Sequence, residues 1–436
     1  MRILIISRSP WRLDNSFGNT YSSIFRDMKD VEIANIYLAD GIPEYEPNVT
    51  AYYQVSEKRL MSSLKHPFAK DKVGNIVKID STQSDDISEK RESYDTMLSV
   101  GKKRRWPILF LGREFLWKFG KVDYEGMSRF VADFHPDIIF LPFYYAAYVF
   151  RVALYLQKKF YLPMTGEAAL DIYSLKQLSV DPFYWINRFY VRNWIRKAAH
   201  RSASLYLISE KMRKDYAQYL KLPCKVLYKI PDFSRQQSEY TELHKPLKYL
   251  YTGNIGANRW KTLSLLAKFI QSAGTGHLDI YTPTPLTPAM KKALVIDGFS
   301  ELHSPVTQNE VRELQNNADV LVHVESFDLA NKLLVRYSIS TKIMDYLCVG
   351  RAILAIGPSD IASIDYLKSN DAALVATSKR EIEEIVTMIN NNPEIIMDYS
   401  RKGVSFARTQ MNRNEMKQAL YNDLAQIIDG QKKKDI

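Results

Sequence analysis

The segment from Ser338 to Gly350 holds residues whose types and spacing suit a phosphorylated ligand. Ser340 or Thr341 can cap the N-terminus of a short helix, where backbone N–H groups and the nearby Lys342 attract a diphosphate. Asp345 follows three residues later on the same helix face, which places a carboxylate for ribose hydroxyls. The pattern fits a plain capped helix with an ordinary surface ion pair equally well, and spacing alone does not separate the two interpretations.

A glycine-containing turn follows the strand that we predict at 247–251. It contains Gly253 and Asn254, and two cations, Arg259 and Lys261, come shortly after. Glycines allow a ligand to approach the backbone, and the cations can bind a phosphate. The glycine spacing is not that of the dinucleotide fingerprint. The position of the turn after the first strand of a second strand series favours a binding role, because ligands of open parallel sheets bind beyond the carboxyl ends of strands.

Two further residues lie at the end of a predicted buried strand, 320–324. His323 and Glu325 are two residues apart and therefore share one face of the strand. Glu325 is predicted to be catalytic. For His323, a core histidine satisfied by a neighbouring backbone group explains the sequence at least as well.

The N-terminal half offers two loop candidates. Gly18 lies in a polar loop after the first strand and before a helix predicted from Tyr21, and Asp171 ends the segment 163–171, which we expect to be a loop. Both loops are expected at the carboxyl ends of parallel strands. Asp171 could position an acceptor hydroxyl or support a donor sugar, although most loop carboxylates are simply solvated.

The elements that must position these residues form two series of strands alternating with helices, as expected for parallel α/β sheets in a chain of 436 residues. We predict two doubly wound domains at 1–232 and 247–410, a polar linker at 233–246, and a helix with a basic tail at 411–436. The predicted strands lie at residues 2–6, 136–141, 203–209, 247–251, 278–281, 320–324, 352–356 and 373–375.

Composition narrows the class of protein. The net charge of +11 favours phosphate-rich partners, and two cysteines in apolar stretches argue against a disulfide framework or a cysteine zinc site. No window reaches the length of a membrane span, and the N-terminal apolar run is too short for a signal peptide. We therefore expect a cytoplasmic protein.

Aromatic and basic residues are mixed in two segments. Residues 102–118 join four cations to a short apolar run that could lie in a membrane interface and attract anionic lipid. Residues 183–194 have a similar mixture, for which packed helices with snorkelling cations are a serious alternative. We expect peripheral association with the inner face of the cytoplasmic membrane through 102–118.

With these motifs, the chain resembles retaining GT-B glycosyltransferases, family 4-like, of bacterial surface-polysaccharide pathways. The resemblance rests on the S-x-S-T-K pattern at 338–342 with its helix and Gly350, the preceding A-D-V-x-x-H-V-E, the Tyr-Thr-Gly-Asn-Ile-Gly turn, and residues 209–212. It covers nearly the whole chain and is strongest from 247 to 380. It implies two facing Rossmann-like domains with a cleft between them, the N-terminal one binding the acceptor and the C-terminal one a nucleoside-diphosphate sugar.

The resemblance also implies roles for single residues. Lys342 and Arg259 would face the diphosphate, Asp345 would hold the ribose, and the Gly18 loop would approach the phosphates. Many relatives carry two Glu with seven residues between them, but Tyr337 and Asp345 occupy those positions here, and Glu325 would take over part of the role of the missing Glu.

The function expected is a hexosyltransferase-like transfer of sugar to a glycan or lipid-linked acceptor in capsule, exopolysaccharide or O-antigen biosynthesis. We expect no cofactor besides the donor substrate, no metal site, since no Asp-x-Asp follows a strand, and no nucleic-acid partner. Two alternatives stay open: a nucleotide-sugar epimerase on the same fold, and a non-enzymatic basic protein that binds membranes or nucleic acid.

Overall fold

The structure is a computed structural model, and it describes residues 1–65, 71–79, 107–230, 242–274, 276–410 and 412–432. Two predicted features lie partly outside these residues: the linker, of which 233–241 are not described, and the basic tail. The cations at 102–105 lie wholly outside them.

The chain divides into two compact units, and the first comprises Met1–Tyr228 together with Lys417–Ile436. Its described strands form a sheet in the order β4-β3-β2-β1-β5-β6-β7-β8, parallel except for the edge pair β3–β4. The strands are β1 (Arg2–Ser7), β2 (Glu32–Tyr37), β3 (Val49–Gln54), β4 (Asn75–Val77), β5 (Ile138–Pro142), β6 (Met164–Ala168), β7 (Leu205–Leu207) and β8 (Cys224–Val226). The helices are α1 (Ser16–Phe25), α2 (Glu57–Lys65), α3 (Pro107–Phe119), α4 (Tyr124–Phe134), α5 (Ala147–Phe160), α6 (Pro182–Ala199) and α7 (Glu210–Leu220).

The second unit, Lys229–Met416, contains a parallel sheet in the order β11-β10-β9-β12-β13-β14. Its strands are β9 (Lys248–Thr252), β10 (His277–Tyr281), β11 (Ser300–His303), β12 (Val320–Val324), β13 (Ala352–Ile356) and β14 (Leu374–Ala376). Its helices are α8 (Arg259–Ala273), α9 (Pro288–Leu294), α10 (Gln308–Asn316), α11 (Leu329–Val335), α12 (Thr341–Val349), α13 (Ala362–Ser369), α14 (Lys379–Asn391) and α15 (Ile395–Gln410). The last helix, α16 (Arg413–Lys432), begins in this unit and continues in the first.

Continuous apolar sequence explains the central strands. Every residue of β12 and β13 is buried, as expected for parallel strands covered on both faces. Strand β10 differs, because Leu278 and Ile280 are buried in the core whereas His277, Asp279 and Tyr281 on the other face are only half-buried. One face of β10 is therefore accessible to solvent.

The order of the second sheet fixes where a ligand can bind. Strand β9 has β10 and β11 on one side and β12 to β14 on the other, so the winding direction changes between β9 and β12. These two strands pair only at Tyr249 with Val320 and Leu250 with Leu321, although both continue further. Beyond these pairs, the carboxyl ends leave the space at the topological switch point in which such sheets bind ligands.

The fold class is confirmed, since each predicted apolar run overlaps a strand and both sheets are built mainly from parallel pairs. Two local predictions were wrong. Helix α1 begins at Ser16 rather than near Tyr21, because the Asn15 side chain accepts a hydrogen bond from Gly18 N (2.9 Å) and caps the helix.

Residues 164–168, which we expected to be in a loop, form the interior strand β6, between β5 and β7. Its polar side chains are satisfied inside the unit: Thr165 donates to Ser204 O (3.0 Å), and Glu167 accepts from Tyr21 (3.1 Å). These distant partners allow a polar sequence to form a buried strand.

Candidate functional site

Lys342 lies in the first turn of α12, beside the carboxyl end of β9. Its Nζ donates to the carbonyl oxygen of Thr252 (2.9 Å) and lies 4.5 Å from the ring centroid of Tyr251. Gly253 has φ +128°, and a Cβ there would come within 2.7 Å of the Lys342 Nζ. The positive φ favours glycine at this position, and the absence of a Cβ leaves room for the end of the lysine side chain.

The surroundings of Lys342 lower the pKa of its ammonium group. Burial and, to a smaller extent, the Arg259 guanidinium lower the pKa of Lys342 from 10.5 to about 8, and the Glu325 carboxylate opposes the change. A nearby anion would favour the ammonium form. The site is therefore electrostatically prepared for a negative ligand.

Arg259 and Glu325 form a bidentate ion pair. Arg259 is the first residue of α8, and its Nε and Nη2 lie 2.9 and 3.2 Å from the two carboxylate oxygens of Glu325, which directly follows β12. Thr262 donates to the backbone carbonyl of Glu325 (3.0 Å) and ties α8 to the same strand end. The guanidinium thus lies near the switch point, but two of its N–H donors are already hydrogen-bonded to the Glu325 carboxylate.

His323 is buried behind this pair. Its Nε2 lies 3.1 Å from the Ser363 hydroxyl and 4.0 Å from a Glu325 oxygen. Burial, together with Lys342 and Arg259, lowers the pKa of His323 to about 3. The imidazole is therefore neutral at physiological pH, and its partner is a side chain rather than the backbone group that the sequence suggested.

Asp345 does not share a partner with Lys342. Both of its carboxylate oxygens accept hydrogen bonds from Lys229 Nζ, at 2.7 and 2.9 Å. The helix face predicted from spacing exists, but the two side chains have separate contacts. Its predicted role at a ribose stays a prediction.

The other predicted residues of this unit differ in their position. Ser340 is the N-cap of α12, but its side chain makes no capping hydrogen bond, and Thr341 is the first helical residue. The positive end of α12 is thus not closed by its own cap side chain. Asn254 is exposed and accepts from Gly256 N (2.6 Å), and Lys261 is exposed with its Nζ 5.7 Å from the Trp260 ring.

Asp171 is enclosed within the first unit. Its carboxylate accepts hydrogen bonds from Ser174 N (3.0 Å), Ser174 Oγ (2.5 Å) and Tyr216 OH (3.1 Å), and Arg188 Nη2 lies 3.6 Å away. These contacts hold the loop after β6 in place. Asp171 therefore has a structural role, and its predicted catalytic role stays a prediction.

Gly18 lies in the first turn of α1 rather than in a free loop. A Cβ at Gly18 would come within 2.1 Å of Arg12 O, so a glycine is required where the preceding loop crosses the helix. Its predicted approach to phosphates stays a prediction.

Several side chains and backbone groups that contact the site were not predicted from the sequence. Thr252 contributes a backbone carbonyl, Tyr251 an aromatic face, Ser363 a hydroxyl and Lys229 an ammonium. The strand-then-glycine pattern points to residues 251–252 as the strand end, so their position could have been anticipated. Lys229 is 116 residues from Asp345, and no local pattern connects the two.

The assembled chemistry is that of an anion site. Lys342, Arg259 and the positive end of α12 meet at the switch point of a doubly wound sheet, with one carboxylate, Glu325, and a neutral imidazole beside them. Such a set can bind a diphosphate and stabilise negative charge that develops on it.

Comparisons with known proteins support the fold. No protein-family model matches the chain, and no curated protein matches it. Among solved structures, Anabaena HepE in complex with UDP and glucose superposes with a TM-score of 0.61 at 11% identity, covering 98% of this chain and 100% of that one.

Two further solved structures are similar over the whole length. Sucrose-phosphate synthase from Thermosynechococcus elongatus has a TM-score of 0.60 at 9% identity, covering 98% and 99% of the two chains. The UDP-forming α,α-trehalose-phosphate synthase from Burkholderia xenovorans, in complex with glucose-6-phosphate, has a TM-score of 0.58 at 9% identity, covering 98% and 100%. At these identities the likeness shows the fold, which is GT-B.

Proposed function

We propose that the chain is a glycosyltransferase that transfers a sugar from a nucleoside-diphosphate sugar. The observation that carries the proposal is the convergence of Lys342, Arg259 and the N-terminus of α12 at the switch point, beside Gly253. Because HepE, with the same fold, was crystallised with UDP, a UDP-sugar is the first donor to test.

The residues suit the charge changes of the reaction. Glycosyl transfer develops positive charge at the anomeric carbon and negative charge on the leaving diphosphate. Lys342 and the α12 dipole are placed to stabilise the leaving group, and Arg259 can exchange part of its contact with Glu325 for a phosphate oxygen. We propose that these protein cations replace a divalent metal, and that transfer retains anomeric configuration.

The acceptor is proposed to be a glycan or lipid-linked glycan presented at a membrane. Helix α3 exposes four large apolar side chains, with Phe115 58% and Phe119 52% exposed and their rings 4.4 Å apart. Ile108 and Leu109 complete the set. A helix that turns phenylalanines outward is expected at an interface rather than in water.

Helix α6 packs against α3 and has a similar outer face. Phe183, Ile186 and Phe189 are exposed in its first half, and Arg196 and Lys197 are exposed in its last turn. Apolar residues next to cations match the chemistry of an anionic lipid surface. Among the described residues, no helix has the length and apolar character to span a bilayer. On the basis of the exposed apolar side chains of α3 and α6 and the cations of α6, we propose peripheral binding at the inner face of the cytoplasmic membrane, in capsule, exopolysaccharide or O-antigen synthesis.

Donor binding is tested by thermal unfolding of the purified chain with UDP-, GDP- and CMP-sugars. A ligand present at 100 times its Kd stabilises the folded state by about 2.7 kcal/mol. We expect one nucleotide class to raise the Tm and Lys342→Ala to abolish that rise. A folded Lys342→Ala variant with wild-type transfer rates would refute the site assignment.

Metal independence is tested by transfer assays in EDTA. We expect activity to persist; loss of activity that magnesium restores would overturn this part of the proposal. Isomerisation of the donor without an acceptor would instead favour an epimerase.

Membrane binding is tested by sedimentation with vesicles that contain anionic lipid. Phe115→Glu with Phe119→Glu should reduce the bound fraction strongly, whereas Val295→Asp, at an exposed apolar residue of the other unit, should not. Equal binding of the double variant and the wild type would contradict the proposed surface.

A further inference from the structure

A cluster of metal-ligating side chains lies away from the proposed donor site, on the solvent-accessible face of β10 and β11. His277 and Asp279 are two residues apart on β10, and Glu301 pairs directly with Asp279 across the parallel ladder. Ligand atoms of these three side chains all lie within 4.8 Å of one another. His303 joins the cluster from the end of β11, with Nε2 2.7 Å from Asp279 Oδ1.

Hydrogen bonding fixes the tautomer of His277. Its Nδ1 lies 3.2 Å from the backbone carbonyl of Gly298, and because a carbonyl oxygen can only accept, Nδ1 must carry the proton. Nε2 of the neutral ring then carries a lone pair instead of a proton, and it lies 3.5 Å from Asp279 Oδ1. Two acceptors that face each other repel unless a cation, either a proton or a metal ion, lies between them.

His303 orients the shared carboxylate. Its Nε2 donates to Asp279 Oδ1, and its ring stacks on Tyr281 with centroids 4.4 Å apart. Glu301 Oε2 is 4.0 Å from the same nitrogen, and its side chain is 63% exposed, so it can rotate toward an ion. An imidazole anchored by a backbone carbonyl and a carboxylate held by a second imidazole are the outer contacts that metal sites use to orient their ligands.

We propose that His277 Nε2, Asp279 and Glu301 bind a divalent transition metal ion, with Zn²⁺ the first candidate. His303 acts as a positioning residue through Asp279. Zinc takes nitrogen and carboxylate ligands at about 2.0–2.2 Å, which places neighbouring ligand atoms roughly 3.4 Å apart in a tetrahedron. The 3.5 Å between His277 and Asp279 already matches this spacing, and only the exposed Glu301 has to move. Water completes the coordination.

The proposed metal site shares no residue with the proposed donor site, and its test measures zinc binding rather than glycosyl transfer. None of its ligands belongs to the group around Lys342, so failure of one proposal leaves the other standing.

The test is calorimetric titration of the full chain, freed of any affinity tag and stripped with EDTA, with ZnCl₂ at pH 7.5. We expect one saturable equivalent in the wild type and no such equivalent in His277→Ala or Glu301→Gln. Loss of an outer contact typically weakens a metal site about 10–100-fold, which is the effect expected for His303→Ala. His200→Ala, at an exposed histidine elsewhere, is the matched control and should bind like the wild type.

A wild type without a stoichiometric site, or His277→Ala and Glu301→Gln variants that bind as the wild type does, would overturn the proposal. Glu301→Gln, at a largely exposed side chain, keeps the test decisive if His277→Ala does not fold.

Discussion

Replacing Lys342 with methionine should stabilise the unliganded protein while weakening nucleotide binding. Methionine has nearly the length of lysine and carries no charge, so it removes the ammonium without leaving a large cavity. Opposite effects on stability and binding are the signature of a residue kept for a ligand.

The size of the stability effect follows from the surroundings of the ammonium. A lysine pKa that falls from 10.5 to about 8 corresponds to a cost of about 3 kcal/mol for the protonated form at neutral pH. The variant loses the charge-assisted hydrogen bond to the Thr252 carbonyl, worth about 1.5–3 kcal/mol. The net gain is therefore up to about 1.5 kcal/mol, or a rise in Tm of up to about 6 °C for a unit of this size.

The pH dependence gives an internal control. Because the folded-state pKa is below the unfolded one, the wild type bears the full cost below about pH 8 and loses it as pH rises toward 10.5. The advantage of Lys342→Met should accordingly shrink between pH 8 and 10.

Nucleotide binding should change in the other direction. Loss of a charge-assisted hydrogen bond costs about 1.5–3 kcal/mol, which raises the Kd for UDP about 10–150-fold. Thermal unfolding without ligand and calorimetric titration with UDP measure the two effects, and Lys268→Met on the exposed face of α8 is the control. A variant that is less stable than the wild type and binds UDP equally well would refute the reasoning.

Four further predictions rest on single contacts. Gly253→Ala should destabilise the protein by about 1–3 kcal/mol and weaken UDP binding, because φ is +128° and the new Cβ meets the Lys342 Nζ; a Tm and Kd equal to wild type would contradict this. UDP binding near pH 8.5 should take up a proton at Lys342, seen as a binding enthalpy that depends on the buffer; identical enthalpies in phosphate and Tris would refute it. His323→Gln should reduce the loss of stability between pH 6.5 and 4. A histidine with a folded-state pKa of about 3 binds a proton in this range mainly when the protein is unfolded, which lowers the free energy of unfolding by up to ~1.4 kcal/mol per pH unit. Parallel curves of stability against pH for the variant and the wild type would exclude this role. Asp171→Ala should destabilise the first unit by about 3 kcal/mol by leaving Arg188 without its carboxylate, and intact stability with lost transfer would instead support a catalytic Asp171.

Local pattern was sufficient for the fold class. Apolar runs such as 2–6 and 352–356 identify buried parallel strands, because covered strands have no polar face to interrupt the run. Gly350, the last residue of the segment 338–350, ends helix α12 with φ +76°. Strand β6 was missed because Thr165 and Glu167 look like loop residues until their partners at Ser204 and Tyr21 are known.

By itself, the sequence determined the two strand series, the glycine turn, and the position of Lys342 at the start of a helix. All of these depend on neighbours within a few residues. Only the tertiary structure decided that Lys342 meets Thr252, that Arg259 is held by Glu325, and that Asp345 faces Lys229. Those pairings are set by strand order and the packing of helices on the sheet, and side chains 66 to 116 residues apart leave no periodic signal of their contact.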